Sequence, residues 1–183
     1  MSNQLLVIAG PTAVGKGTVI AHILENFPDV HLSVSATTRA PRPGEVNGVD
    51  YFFLTHEQFD QAIAAGEMLE YAVVHGVNKY GTPKAPVVEA LKRGEKIILE
   101  IDVQGVAQVK AAMPDCKTVF IAPPSWEELV SRLQGRGTET QQEQARRLET
   151  ARAELATQDD FDYVVINDDV ASCARKVVDL IQA

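Results

Sequence analysis

LLVIAGPTAVGKGT, residues 5–18, runs from five apolar residues through a glycine-framed turn to a lysine and the start of a helical pattern. Continuous rather than alternating hydrophobicity over Leu5–Ala9 predicts a strand buried on both faces, as in a parallel sheet. Gly10 and Gly15 let backbone N–H groups approach phosphate oxygens, and the helix behind them presents the positive end of its dipole. Strand, glycine loop, lysine and helix in that order form a P-loop, with Lys16 reaching the β- and γ-phosphates of a nucleoside triphosphate. The bland alternative is a Gly-Pro turn with one surface lysine. Gly17 stands where this loop pattern wants Ser or Thr, and Thr18 follows one place later. A direct bond from the loop to magnesium is therefore open.

The same punctuation recurs downstream. Apolar runs at Leu32–Val34, Ile97–Ile101, Thr118–Ala122 and Tyr163–Ile166 alternate with helical patterns over Lys16–Asn26, Ala85–Arg93, Val103–Ala112, Trp126–Leu133, Gln142–Ala156 and Asp169–Ile181. Alternating strands and helices predict an α/β fold of the P-loop NTPase type, a parallel sheet flanked by helices. Two stretches break the rhythm. Residues 35–82 hold Pro41, Pro43, Gly44 and Gly48, the apolar runs Tyr51–Leu54 and Met68–Val74, and between them Thr55 three places before Gln58, a helix-capping box. This reads as an inserted small α+β subdomain. QGRGTETQQEQ (134–144) is polar, without apolar periodicity, and reads as a mobile flap over a site.

The chain of 183 residues suits one domain. Its expected division is a core of 1–34, 83–134 and 146–183, a subdomain of 35–82 and a lid of 135–145. A 45% apolar share supports a core without staples, and 23% charged residues exclude wholesale disorder. The net charge of −8 argues against coating nucleic acid or an anionic membrane, while leaving room for a local anion site. No stretch approaches the roughly 20 apolar residues of a membrane span, and MSNQLLVIAG lacks the basic start and cleavage site of a signal peptide. Cys116 and Cys173 have no second pair nearby, so both read as reduced thiols in a cytoplasmic protein. The four histidines show no metal-ligand spacing.

SATTRAPRPGE (35–45) sets Arg39 and Arg42 three apart beside rigid prolines, a forked clamp suited to a second phosphate, with Tyr51 in reach to add a hydroxyl. Singly, each arginine could be a surface ion-pair partner. Ile97–Ile101 then delivers Asp102 to the carboxyl end of a buried strand, where α/β sheets bind ligands.

With these residues in place, the sequence resembles the guanylate kinase family along nearly its whole length. The matching stretches are GPTAVGKGT (10–18), SVSATTRAPRPGEVNGVDYFF (33–53), EMLEY (67–71), YGTP (80–83), ILEIDVQG (98–105), FIAPPS (120–125), RLQGRGTET (132–140) and INDD (166–169). The second is the most specific. The resemblance implies transfer of the γ-phosphate of ATP to GMP with Mg2+, with 35–82 as the GMP-binding subdomain. ATP would lie along Gly10, Pro11, Thr12, Ala13, Val14, Gly15, Lys16, Gly17 and Thr18, with Arg132 on adenine or phosphate and Asn167 on adenine. Asn167 could equally be a helix cap. Arg39, Arg42, Tyr51 and Tyr80 would hold the GMP phosphate, supported by Glu45; Ser35, Glu70, Gly81, Thr82 and Asp102 would surround guanine. Guanine's N1–H and N2–H2 are adjacent donors that one carboxylate accepts together, and adenine has no donor at N1, so such carboxylates select G over A. The hydroxyls of Ser35 and Thr82 can donate to O6. Alternatively, Glu70 is a solvated strand-end charge and Ser35 a turn former.

Magnesium would be met, through water, by Thr18, Glu100 and Asp102; Glu100 could instead be a structural ion-pair partner. Five of the nine arginines lie in 132–152, against three glutamates. By resemblance Lys16, Arg39, Arg136 and Arg147 serve the transferring phosphoryl group, Arg146 competes with Arg147 for the inward face, and Arg152 makes surface salt bridges. Thr12-Ala13 replaces the family's usual Ser-Gly, so Ala13 is expected at an ordinary backbone angle. HGVNK (75–79) is a long approach to Tyr80, on whose register the role of Tyr80 depends. Two other readings compete: a guanylate-kinase-like binding module without phosphoryl transfer, and a kinase of a phosphorylated sugar.

Overall fold

A computed structural model describes residues 4–74, 77–134 and 141–182. In chain order the elements are β1 (Leu5–Ala9), α1 (Lys16–Asn26), β2 (Val30–Leu32), β3 (Ala36–Thr37), β4 (Phe52–Phe53), α2 (His56–Ala64), β5 (Met68–Val74), β6 (Asn78–Pro83), α3 (Lys84–Lys92), β7 (Lys96–Glu100), α4 (Val103–Ala112), β8 (Lys117–Ala122), α5 (Trp126–Gln134), α6 (Gln141–Leu155), β9 (Tyr163–Ile166) and α7 (Val170–Gln182). The apolar strands form one parallel sheet in the order β2-β7-β1-β8-β9, with β1 at its centre. Side chains alternate across β1. Leu6 and Ile8 pack with α1, α5 and α7, while Leu5, Val7 and Ala9 pack with α3 and α4. Every β1 residue is buried, each Leu or Ile stabilising by about 1.5–3 kcal/mol, which explains the unbroken apolar run.

The inserted segment forms a second, mixed sheet, β4-β3-β6-β5, beside α2. The capping box is real: Thr55 Oγ1 accepts from the Gln58 N–H, and Gln58 Oε1 accepts from the Thr55 N–H. Phe59 on α2 is fully buried beneath this sheet. Strand β6, NKYGTP, carries no β-pattern of its own and exists because β5 pairs along it.

Two expectations are corrected. The second core strand is Val30–Leu32 rather than Leu32–Val34; the Ser33 N–H makes one further bond, to Ile98 O at 2.9 Å, and the chain then leaves for the second sheet. Residues 141–145, counted in the flap or lid, belong to α6, which begins one residue before the helix expected over Gln142–Ala156. That helix is polar on nearly all sides, and it meets the core through Ala151 and the partly buried Leu155. The remainder of the proposed lid, including Arg136, lies outside the described residues. Among the described residues no helix is long and apolar enough to cross a membrane. Cys116 and Cys173 are both buried free thiols.

Candidate active site

A cleft of about 490 Å³ opens at the carboxyl ends of the parallel strands, between the two sheets. Gly10, Thr12 and Lys16 line it from the loop after β1, and Glu100, Ile101 and Asp102 from the end of β7. Ser33 and Ser35 follow β2, while Tyr51, Glu70, Tyr80 and Gly81 come from the inserted subdomain. One cleft therefore gathers residues between Gly10 and Asp102 that the sequence assigned to two nucleotides.

The loop is held by close approach. A Cβ on Gly10 would fall into the backbone carbonyl of Ile121, and Gly15, at φ 97°, caps α1. Ala13 sits at φ 63°, the left-handed region, contrary to the ordinary angle expected for it. That geometry costs a non-glycine residue about 1–2 kcal/mol and persists because the surrounding loop over-determines it. Lys16 Nζ donates to Gly10 O at 2.6 Å and Pro11 O at 3.2 Å. Burial lowers its pKa, opposed by the charges of Glu100, Glu154 and Asp102. Gly17 and Thr18 are exposed, and Thr18 does not line the cleft.

Asn167 and Arg132 stand behind the loop instead of in the cleft. Asn167 is buried and its Nδ2 donates to Val14 O at 2.8 Å; Arg132 Nη1 reaches the same carbonyl at 3.1 Å and Nη2 reaches Asn167 O at 3.3 Å. Both side chains thus brace the loop from the side away from the cleft lining. Asn167 is not a helix cap.

On the subdomain side, Glu45 grips Arg39 with both oxygens, at 2.8 and 3.0 Å, and Oε2 also accepts from the Arg42 N–H at 2.6 Å. The bond to Glu45 raises the Arg39 pKa further, keeping it a cation, while Arg39 lowers that of Glu45. The guanidinium lies 5.5 Å from the Tyr51 ring centre, and Tyr51 and Tyr80 meet edge-on at 6.0 Å. Tyr80 pairs with Thr37 and Ala72, which fixes the register left open by residues 75–79. Arg42 is exposed at the rim.

Deeper in, Glu70 is only 4% exposed. Burial raises its pKa, and Thr82 Oγ1, donating to its Oε1 at 2.7 Å, works against that rise. A solvated strand-end charge is excluded. Thr82 directs its hydroxyl proton at Glu70 and so orients the carboxylate. Asp102 lines the cleft and also caps α4, its Oδ1 accepting from the Gln104 N–H at 2.9 Å.

The residue that sequence reasoning missed is Glu154, on α6. Its Oε2 accepts from the Thr12 N–H at 3.2 Å, and burial raises its pKa. A lone glutamate in a polar helix 142 positions from its partner leaves no local signal. Arg147 on the same helix is half-buried and Arg146 exposed, which resolves which of the two turns inward. Arg152 lies over the Trp126 ring at 4.7 Å instead of in the surface salt bridge expected of it.

No cluster of three or more His, Cys, Asp or Glu able to hold a metal occurs among the described residues. Glu100 and Asp102 still offer two hard oxygen donors beside Lys16, a set that fits magnesium, which takes one or two carboxylates and completes its shell with phosphates and water.

The profile described as Guanylate kinase matches residues 2–183. The chain belongs to the guanylate kinase family. A guanylate kinase of Leifsonia xyli is 60% identical over 178 residues, covering 97% of this chain and 70% of that protein. One from Nocardia farcinica is 54% identical, covering 97% and 93%. The crystal structure of guanylate kinase from Anaplasma phagocytophilum superposes with a TM-score of 0.77 at 32% identity, covering 97% of this chain and 84% of that one. A shikimate kinase from Bacteroides thetaiotaomicron, 12% identical with a TM-score of 0.51, shares the fold alone. The α/β architecture with its central parallel sheet is the guanylate kinase fold, and the chain is a nucleotide phosphotransferase of that family.

Proposed function

We propose that the protein transfers the γ-phosphoryl group of ATP to GMP, giving ADP and GDP in purine nucleotide metabolism. The observation that carries this is the single cleft in which the loop lysine Lys16 and the buried base-reading carboxylate Glu70 stand together. Lys16 leaves the carbonyls of Gly10 and Pro11 for the β- and γ-phosphates. Arg39, Arg42, Tyr51 and Tyr80 hold the acceptor phosphate, with Glu45 stiffening the clamp. Ser35, Glu70, Gly81 and Asp102 surround guanine, and Glu70 accepts from N1–H and N2–H2. A GMP phosphate oxygen then forms a bond to the γ-phosphorus as the bond to the β,γ-bridging oxygen breaks, and ADP leaves. The acceptor is already anionic, so positioning and electrostatics carry the step. Arg147, together with Arg136, neutralises charge on the moving group, and Arg39 orients the acceptor. Glu100 and Asp102 would hold Mg2+, which would supply neutralising charge to the phosphates of ATP.

The division into core, GMP-binding subdomain and lid follows from these roles. A net charge of −8 and two buried thiols suit action in the cytoplasm on small nucleotides, away from nucleic acid and membranes. Curated relatives named guanylate kinase at 50–60% identity favour this over a non-catalytic binding module or a sugar-phosphate kinase. The test is a coupled ADP-release assay with ATP and Mg2+, comparing GMP, AMP, UMP and CMP. Turnover with GMP and none with the others, abolished by Lys16→Ala, is the expected result. GMP binding without turnover in the unaltered chain would point to the binding module.

A further inference from the structure

Glu70 belongs to the inserted subdomain, yet it is seated on α4 of the core. A Cβ built on Gly105 would lie 3.1 Å from Glu70 Cδ and 3.2 Å from its Cγ, and closer still to Oε2. The carboxylate thus occupies the space that any side chain at Gly105 would need, while Thr82 holds its other oxygen. Gln108, one turn along α4, fastens the next residue of β5: its Oε1 accepts from the Tyr71 N–H at 3.2 Å and its Nε2 donates to Tyr71 O at 3.0 Å. Asp102, the cap of the same helix, lines the cleft beside Glu70. The first turns of α4 therefore register one carboxylate from each sheet.

Nothing in the backbone asks for glycine here. Gly105 lies inside a helix and is not among the positive-φ glycines, and a helical glycine costs about 1 kcal/mol relative to alanine. What requires the missing side chain is Glu70. We infer that Gly105 is a specificity-determining residue, which keeps its Cβ space empty so that Glu70 meets the N1–H and N2–H2 donors of guanine. This rests on the reading of Glu70 as the guanine acceptor. A methyl at Gly105 pushes on the flexible end of a side chain and not on backbone, so Gly105→Ala moves the carboxylate and leaves the fold.

The experiment measures kcat/KM for GMP and for IMP, with ATP and Mg2+, in the full chain and in Gly105→Ala, Glu70→Ala and the double variant. IMP keeps N1–H and O6 and lacks the 2-amino group. Gly105→Ala is expected to reduce the GMP-over-IMP ratio by about tenfold, mostly through KM for GMP, with KM for ATP held within about twofold and Tm not lowered. In the Glu70→Ala background the same change adds nothing, since it acts through that carboxylate. An unaltered ratio in Gly105→Ala, or an effect that multiplies in full upon Glu70→Ala, overturns the inference. Equal losses for GMP and IMP with a lowered Tm make Gly105 a packing residue only. If Glu70→Ala itself leaves the ratio unchanged, the guanine reading of Glu70 falls and the role of Gly105 with it.

Discussion

Glu70 and Ala13 show how single residues acquire chemistry from their surroundings. Burial, with the nearby negative charge of Asp102, lifts the Glu70 carboxyl above the usual carboxylate range despite the Thr82 bond. Because the folded value lies above the unfolded one, its contribution to stability is whole below the unfolded pKa and is lost as pH rises through the folded one. Guanine recognition runs the other way, since only the ionised carboxylate accepts both donors. The GMP-over-IMP ratio in kcat/KM is therefore expected to fall as pH drops through a value above about 4.3. The phosphates of the two nucleotides titrate alike and cancel in that ratio. A ratio flat with pH down to 4.3, or an equal pH dependence in Glu70→Gln, would refute this. The guanine role proposed for Glu70 came with the family resemblance; the bond from Thr82 to it did not, because a hydroxyl's partner is chosen across two paired strands. The left-handed Ala13 was likewise hidden, since the strain is imposed by a loop pinned between Ile121 and Val14's two donors.

At the scale of elements, α6 is the piece whose role depends on packing. Ala151 in the core, Arg152 on Trp126 and Glu154 on the Thr12 N–H are among the contacts that hold it. Arg147 lies seven positions before Glu154, two turns along the same face. On the role proposed for Arg147, Glu154 would set the depth at which α6 presents it to the phosphates. Glu154→Ala is expected to lower kcat about tenfold with KM for GMP unchanged, and Glu154→Gln, which keeps an acceptor for Thr12, to recover much of it. Steady-state kinetics of the two variants decide: wild-type kcat in the alanine variant would sink the idea. Strand β6 escaped a reading by pattern because Gly81 and Pro83 argue against a strand until β5 lies beside it.

For the whole molecule, the proposed reaction would set one nucleotide against each sheet and require the two to come into line. The inserted sheet joins the core through the chain after β2 and the turn into α3, and rests on α4 through Gln108. Closure of 35–82 toward the phosphate loop is expected when both nucleotides bind. Small-angle scattering should then report a smaller radius of gyration, and a fluorophore pair placed at the tip of 35–82 and on α7 should approach. An unchanged radius with both sites filled would count against closure.

From the sequence alone came the parallel α/β core, the phosphate loop and the inserted strand-rich segment, while the family resemblance pointed to Tyr51, Glu70, Tyr80 and Asp102, which line one cleft. These are local facts: apolar runs, glycine spacing and short motifs act within a few residues. Only the tertiary structure assigned Thr82 to Glu70, Asn167 and Arg132 to the back of the loop, Glu154 to Thr12, and Gly105 to the carboxylate it makes room for. Each of those is a contact between distant segments, decided by which pairing of buried polar groups and space has the lowest free energy in the folded chain, and no pattern along the chain records that.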